Sequence, residues 1–202
     1  VKGEKTLFKT PFSQFVKGTA QVVWKRRLMG SSFFVTRAFI GAAHAYGNST
    51  QVPYSEQFYI GGANSVRAFA VRSIGPGRYH PAVTDANGYY DETGTLKLEL
   101  NAEYRFPIWG YLKGALFVDA GNVWLMQEDE ARPGGVINAR DFLKDLALGT
   151  GLGIRFDMGM LVVRGDLGIG IHAPYDTGRS GYYNMHSFKN SLTFHLAIGY
   201  PF

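Results

Sequence analysis

Five histidines, sixteen acidic residues and no cysteine are the groups in this 202-residue chain from which covalent or metal chemistry could be built. His44, His80, His172, His186 and His195 show no metal-ligand spacing. Without cysteine there is neither a thiolate site nor a disulfide framework. Gly149, Gly151 and Gly153 look at first like a phosphate-cradling loop, but no helix pattern follows and the three fall on one face of an alternating segment. Nothing in the spacing selects a Ser-His-Asp arrangement. What remains is ionic: Arg164 and Asp166, two positions apart, share a strand face and form an ion-pair candidate. The chain reads as a non-enzyme that needs no cofactor. Its net charge of +5 is scattered rather than gathered into a tail or stripe, which excludes a nucleic-acid-binding reading.

The elements that must position these charges are strands. In 95–106, Leu96, Leu98, Leu100, Ala102, Tyr104 and Phe106 alternate with Lys97, Glu99, Asn101, Glu103 and Arg105. The last twelve residues do the same: Leu192, Phe194, Leu196, Ile198, Tyr200 and Phe202 form an apolar row interleaved with Thr193, His195, Ala197, Gly199 and Pro201. A period of two is the signature of a strand with unlike faces. Seven such segments are expected, at 12–28, 31–46, 95–106, 111–124, 145–157, 160–171 and 191–202. Most exceed the usual soluble strand and suit a tilted membrane crossing of ~9–11 residues. No apolar run approaches the roughly 18 residues of a spanning helix. A mean hydropathy of -0.10 is what a membrane barrel gives when its polar inner rows dilute its outer ones.

The connections alternate. Met29-Gly30, Pro107–Gly110 and Met158-Gly159 are expected as tight turns, whereas 47–94, 125–144 and 172–190 are long and polar. This is the asymmetry of short periplasmic turns and long outside loops. Phe106, Trp109, Tyr111, Phe156, Met158, Met160, Tyr200 and Phe202 would form an interfacial belt at the short-turn end. Trp124, Tyr46, Tyr182 and Tyr183 would mark the other interface. Seven strands are an odd number for a closed single-chain barrel. Residues 1–202 are therefore expected to be the C-terminal portion, of about seven to eight strands, of a larger antiparallel barrel. Residues 1–11, with Lys2, Glu4, Lys5 and Lys9, would be the tail of an outer loop. Pro201, which cannot donate to a ladder, predicts a frayed end to the last strand.

The longest loop contains Gly61-Gly62, Ser65, Val66, Arg67, Ala68 and Phe69. With Ala102–Pro107, Phe117–Trp124, Gly149–Arg155 and the Phe-terminated last strand, this resembles the BamA/TamA superfamily of outer-membrane protein assembly factors, in a style similar to its Bacteroidetes branch. The resemblance covers nearly all of the chain from about residue 12. It implies an all-β transmembrane barrel in the outer membrane of a Gram-negative bacterium. It also implies a loop that folds back into the lumen, where Arg67 pairs with Glu103 and Asp119 of the wall. Phe194, Leu196, Ile198, Gly199, Tyr200 and Phe202 would be the closing-strand signal. The implied activity is insertion of other barrels, or protein translocation, through a seam that opens sideways. Its partners would be outer-membrane lipids, unfolded β-barrel clients and periplasmic or lipoprotein assembly factors. A passive secretion pore on the same barrel, or an anchor for an absent passenger or enzyme domain, is the alternative. Ala68 stands where the family usually has Gly, so a positive φ there would cost about 1 kcal/mol.

Overall fold

The computed structural model describes residues 6–7, 10–81 and 92–202. Lys2, Glu4, Lys5 and Lys9 lie outside the described residues. A small ladder joins β1 (Thr6–Leu7) to β2 (Thr10–Pro11). The body is one antiparallel sheet of seven strands in chain order: β3 (Phe15–Arg27), β4 (Phe33–Ala45), β5 (Leu96–Trp109), β6 (Leu112–Trp124), β7 (Ala147–Asp157), β8 (Val162–His172) and β9 (Leu192–Ile198). Among the described residues β3 pairs only with β4, and β9 only with β8, so the sheet has two free edges.

Because directly paired residues point to the same face, the registers define lateral rows across the sheet. One outer row runs Phe34, Tyr104, Leu116, Leu152, Leu167, Phe194. The neighbouring inner row runs Val35, Glu103, Phe117, Gly151, Gly168, Thr193. The next inner row toward the short turns runs Arg105, Ala115, Gly153, Asp166, His195. From β4 to β9 this outer row is apolar, with Arg26 of β3 beside Phe34 at its edge, while the two inner rows carry Glu103, Arg105 and Asp166 with Gly151, Gly153, Gly168 and Ala115 among them. That pattern leaves a trough along the inner face. Residues 57–75 of the polypeptide between β4 and β5 lie in it, and Ile60, Val66, Phe69 and Ile74 of this loop are buried with Ala43, Val123, Ala147 and Ala173.

Three features depart from the sequence reading. The strand expected to stop at Phe106 continues through Pro107 to Trp109, with a register shift between Pro107 and Trp109. The β4 ladder ends at Arg105, so Pro107 lies where β5 is paired on one side only, with β6. Trp124 is not at an interface. It is buried under the β6–β7 loop, where Phe142 stacks on it at 5.6 Å and Asp145 accepts its indole N–H at 3.4 Å. The last strand stops at Ile198 rather than at Phe202. Gly199 takes φ 85°, a left-handed conformation that Gly adopts without strain, and Tyr200–Phe202 turn inward across the short-turn end instead of fraying. Trp109, Tyr111, Phe156, Met158 and Met160 remain exposed at that end.

The outer row yields a stability test. Leu152 lies between Leu116 and Leu167 on the outer face and is 49% exposed in the isolated chain. Leu152→Arg is expected to destabilise the folded state in lipid vesicles by roughly 2–4 kcal/mol, the midplane cost of a lipid-facing arginine. Arginine at the neighbouring inner position Gly151 would instead fail by collision with the Leu167 carbonyl and the Phe117 ring. Folding titrations in vesicles check the first value; an unchanged midpoint would mean that Leu152 does not face hydrocarbon.

Candidate functional site, a loop docked on the inner wall

The loop's tip is built by local hydrogen bonds. Gly62 N–H donates to the Phe69 carbonyl at 2.9 Å, Ser65 N–H to Gly62 at 3.1 Å, and Gly61 N–H to the Ser65 hydroxyl at 3.0 Å. Gly61 and Gly62 both adopt positive φ. Ser65 also hydrogen-bonds Glu99 of β5. Ala68 is absent from the positive-φ positions, so the methyl group is accommodated without backbone strain.

Arg67, fully buried, lies along the inner row of Glu103, Phe117 and Gly168. Its Nε and Nη2 donate to the two Asp119 carboxylate oxygens at 2.8 and 2.9 Å, and its backbone N–H reaches Oδ2 at 3.1 Å. Its Nη1 bonds Glu103. The guanidinium carbon sits 3.6 Å from the centre of the Phe117 ring. A planar fork can engage one carboxylate in bidentate fashion and a second at its far corner while stacking on an aromatic face; an ammonium cannot. Burial works against the charge of Arg67. The hydrogen bonds and charges of Asp119 and Glu103 outweigh it, and the proton is held more firmly than on a free arginine.

The pairing extends beyond the three residues that the sequence singles out. Glu103 also meets Arg105 at 2.7 Å and Arg155 at 3.1 Å. Arg155 continues to Asp166 at 2.7 Å, and Asp166 to Arg164. On the other side Asn101 donates to Asp119 at 2.8 Å and to the Ser65 carbonyl at 3.0 Å, and accepts from Arg37, which pairs with Glu99 at 2.7 Å. Alternation puts Arg105 in the same row of its strand as Glu99 and Glu103. It does not show which rows the strand registers bring level.

The loop also touches β7 and β8. A side chain at Gly168 would run into the Arg67 carbonyl, and one at Gly149 into the Ala68 methyl. These glycines are the seat on which the loop backbone rests, a role that their spacing alone does not show. Phe194, Leu196 and Ile198 of β9 are 68, 73 and 75% exposed on the outer face. Phe202 is not in their row. Its ring lies inside, 5.3 Å from the guanidinium of Arg37, 5.6 Å from that of Arg105 and 5.8 Å from that of Arg67. Arg105 donates to the Phe202 backbone oxygen at 3.2 Å, and the Tyr200 hydroxyl donates to Asp157 at 2.6 Å. Among the described residues no cluster of histidine and acidic side chains could hold a metal.

A curved sheet with an apolar outer face, and an inner face whose buried charges are matched by a docked loop, is a segment of an outer-membrane β-barrel wall. The chain belongs to the Omp85 superfamily, whose domain model matches residues 6–202. Over 116 residues, 55% of the chain, it is 29% identical to the outer membrane protein assembly factor BamA of Neisseria meningitidis, and it covers 14% of that protein. Its fold is similar to that of BamA from Haemophilus ducreyi lacking POTRA domains 1-3, with a TM-score of 0.62 and 15% identity, covering 92% of this chain and 35% of that one. It is also similar to CdiB from Acinetobacter baumannii, with a TM-score of 0.52 and 19% identity, covering 92% and 27%. The chain thus spans well under half the length of the proteins it resembles. Membership places it in the outer membrane of a Gram-negative bacterium as a barrel protein.

Arg67→Ala is expected to undock the loop while the sheet still forms, because it leaves Asp119 buried without its cation. Breaking one partner from such a pair typically costs about 3–5 kcal/mol. Arg67→Lys restores the charge but not the fork, and recovers only part of the loss. Protease cleavage within 57–77 in intact membranes checks this: faster for Arg67→Ala than for Arg67→Lys, and slowest for wild type. Equal cleavage of all three would count against a docked loop.

Proposed function

We propose that this chain is the C-terminal part of a larger barrel that assembles β-strands into the outer membrane, with the edge of β9 as the template for an incoming strand. In lipid an unpaired strand edge exposes N–H and C=O groups at a cost of several kcal/mol for each unsatisfied group. Such an edge therefore favours pairing with any strand presented to it. The observation that carries the reading is the shortness of the last ladder. β9 meets β8 over seven residue pairs, whereas the internal ladders run to between ten and thirteen, and β9 is cut short where Gly199 turns the tail inward. A strand held by the fewest pairs, at an edge, is the one whose partner exchanges most readily. The free edge of β3 is then the junction to the preceding strand of the full barrel. Unfolded β-barrel proteins are the proposed clients, and periplasmic or lipoprotein factors the proposed co-workers.

A passive pore of the same family is the competing reading. The loop that fills the inner trough supports assembly over open conduction, because Arg67, Ile60, Val66 and Ile74 occupy the space that a permanent channel would need. The test is insertion of an unfolded outer-membrane protein by the full-length protein reconstituted in liposomes. A single cysteine replaces Ile198, and others are placed along the client's terminal strand. Disulfides are expected between Ile198→Cys and the client strand in one register, together with folding of the client. Steady ion conductance with neither cross-link nor client folding would establish the pore instead.

A further inference from the structure

The inner face of β9 and the tail beyond it are fastened to the same few loop residues that carry Arg67. The Thr193 hydroxyl donates to the Ala68 carbonyl at 3.0 Å. His195 Nε2 lies 2.9 Å from the Arg67 carbonyl, which can only accept, so this ring nitrogen carries a proton and donates it. Arg164 of β8 reaches both parties: its Nε donates to the Gly199 carbonyl at 2.9 Å, and its Nη2 donates to the Ala63 carbonyl at 3.0 Å and to Asn64. The Phe202 ring faces the Arg67 guanidinium itself. Against these contacts stand the seven residue pairs of β8–β9 and, among the described residues, no partner on the far edge.

We propose that the loop and the last strand form one coupled unit, with Thr193 and His195 as the positioning residues that join them. A strand at a free edge has only its one ladder and its buried face to hold it. Here the buried face rests on backbone carbonyls of a loop that is itself fixed by Asp119 and Glu103. Release of the loop removes two hydrogen-bond acceptors and the guanidinium from beneath β9 and the tail. Release of β9 in turn removes two donors from the loop backbone, leaving buried carbonyls unsatisfied. The ion network on β5 and β6 thereby reaches β9 through the loop, beside the direct contact of Arg105 with the tail at Phe202. The proposal rests on the reading above only in taking β9 as the strand that moves; the contacts themselves do not depend on that reading.

Coupling between two segments is reciprocal, and that makes the proposal testable. Amide hydrogen exchange is followed by mass spectrometry on the full-length protein in lipid nanodiscs. Arg67→Ala is expected to speed exchange of residues 192–198 on the order of tenfold, within the usual range of coupling between sites. The double variant Thr193→Val, His195→Leu is expected to speed exchange of 57–77 by a similar factor. His195→Gln, which keeps an N–H donor, should recover most of the protection that His195→Leu loses. Unchanged exchange at 192–198 in Arg67→Ala, with 57–77 accelerated, would overturn the coupling. An equal acceleration across β5, β6 and β7 would overturn it too, because that is general loosening. Reciprocal exchange in a protein that inserts no client would retain this inference and remove the functional one.

Discussion

Glu103 is a fully buried carboxylate ringed by Arg67, Arg105 and Arg155, and the rest of the inner face is arranged around that fact. A charge taken out of water costs several kcal/mol unless matched by nearby opposite charge and hydrogen bonds. Two of the three cations come from the wall. The third, Arg67, comes from a loop between β4 and β5 and is also the cation on Asp119, so pairing of that buried acid and docking of the loop are one event. Such a pair fixes geometry more than it adds stability: an apolar replacement could fill the same space, but it would not fix which loop residue sits over which strand.

The same constraint explains the glycines. Charged groups on β5, β6 and β8 must converge on a loop backbone, and the wall between them must not intrude. Gly149 and Gly168 allow Arg67 and Ala68 to lie directly on β7 and β8. Phe117 supplies a flat floor for the guanidinium. A row that reads simply as small residues on the polar face of a strand is therefore one surface of a binding trough whose ligand is the chain's own loop.

Much of this was legible in the sequence, and the limits have physical causes. Alternation located all seven strands of the sheet to within a few residues, because inner and outer faces meet such different surroundings that each position is constrained. It put Glu103 in the charged row of its strand and Arg164 and Asp166 on one strand face, and all three lie inside. It did not show that Arg155 bridges Glu103 to Asp166, because pairing across strands depends on register, which no single strand encodes. It overran at Phe202: the apolar rhythm continues past Ile198, but Gly199 breaks the strand and carries the ring from the outer row to the arginines inside. It misplaced Trp124, whose position at a strand end suggested an interface, because the fold of the β6–β7 loop that buries it leaves no periodic signal.

The central claim is that Arg67 docks the loop through Asp119. A double-mutant cycle on Arg67→Ala and Asp119→Ala, read as the free energy of loop opening from hydrogen exchange in the membrane-embedded protein, measures that contact alone. Residues in direct buried contact should show an interaction energy within about 0.5–3 kcal/mol, with the second substitution costing little once the first is made. Loop-opening energies that add to within about 0.3–0.5 kcal/mol would place the two side chains apart and contradict the docked loop.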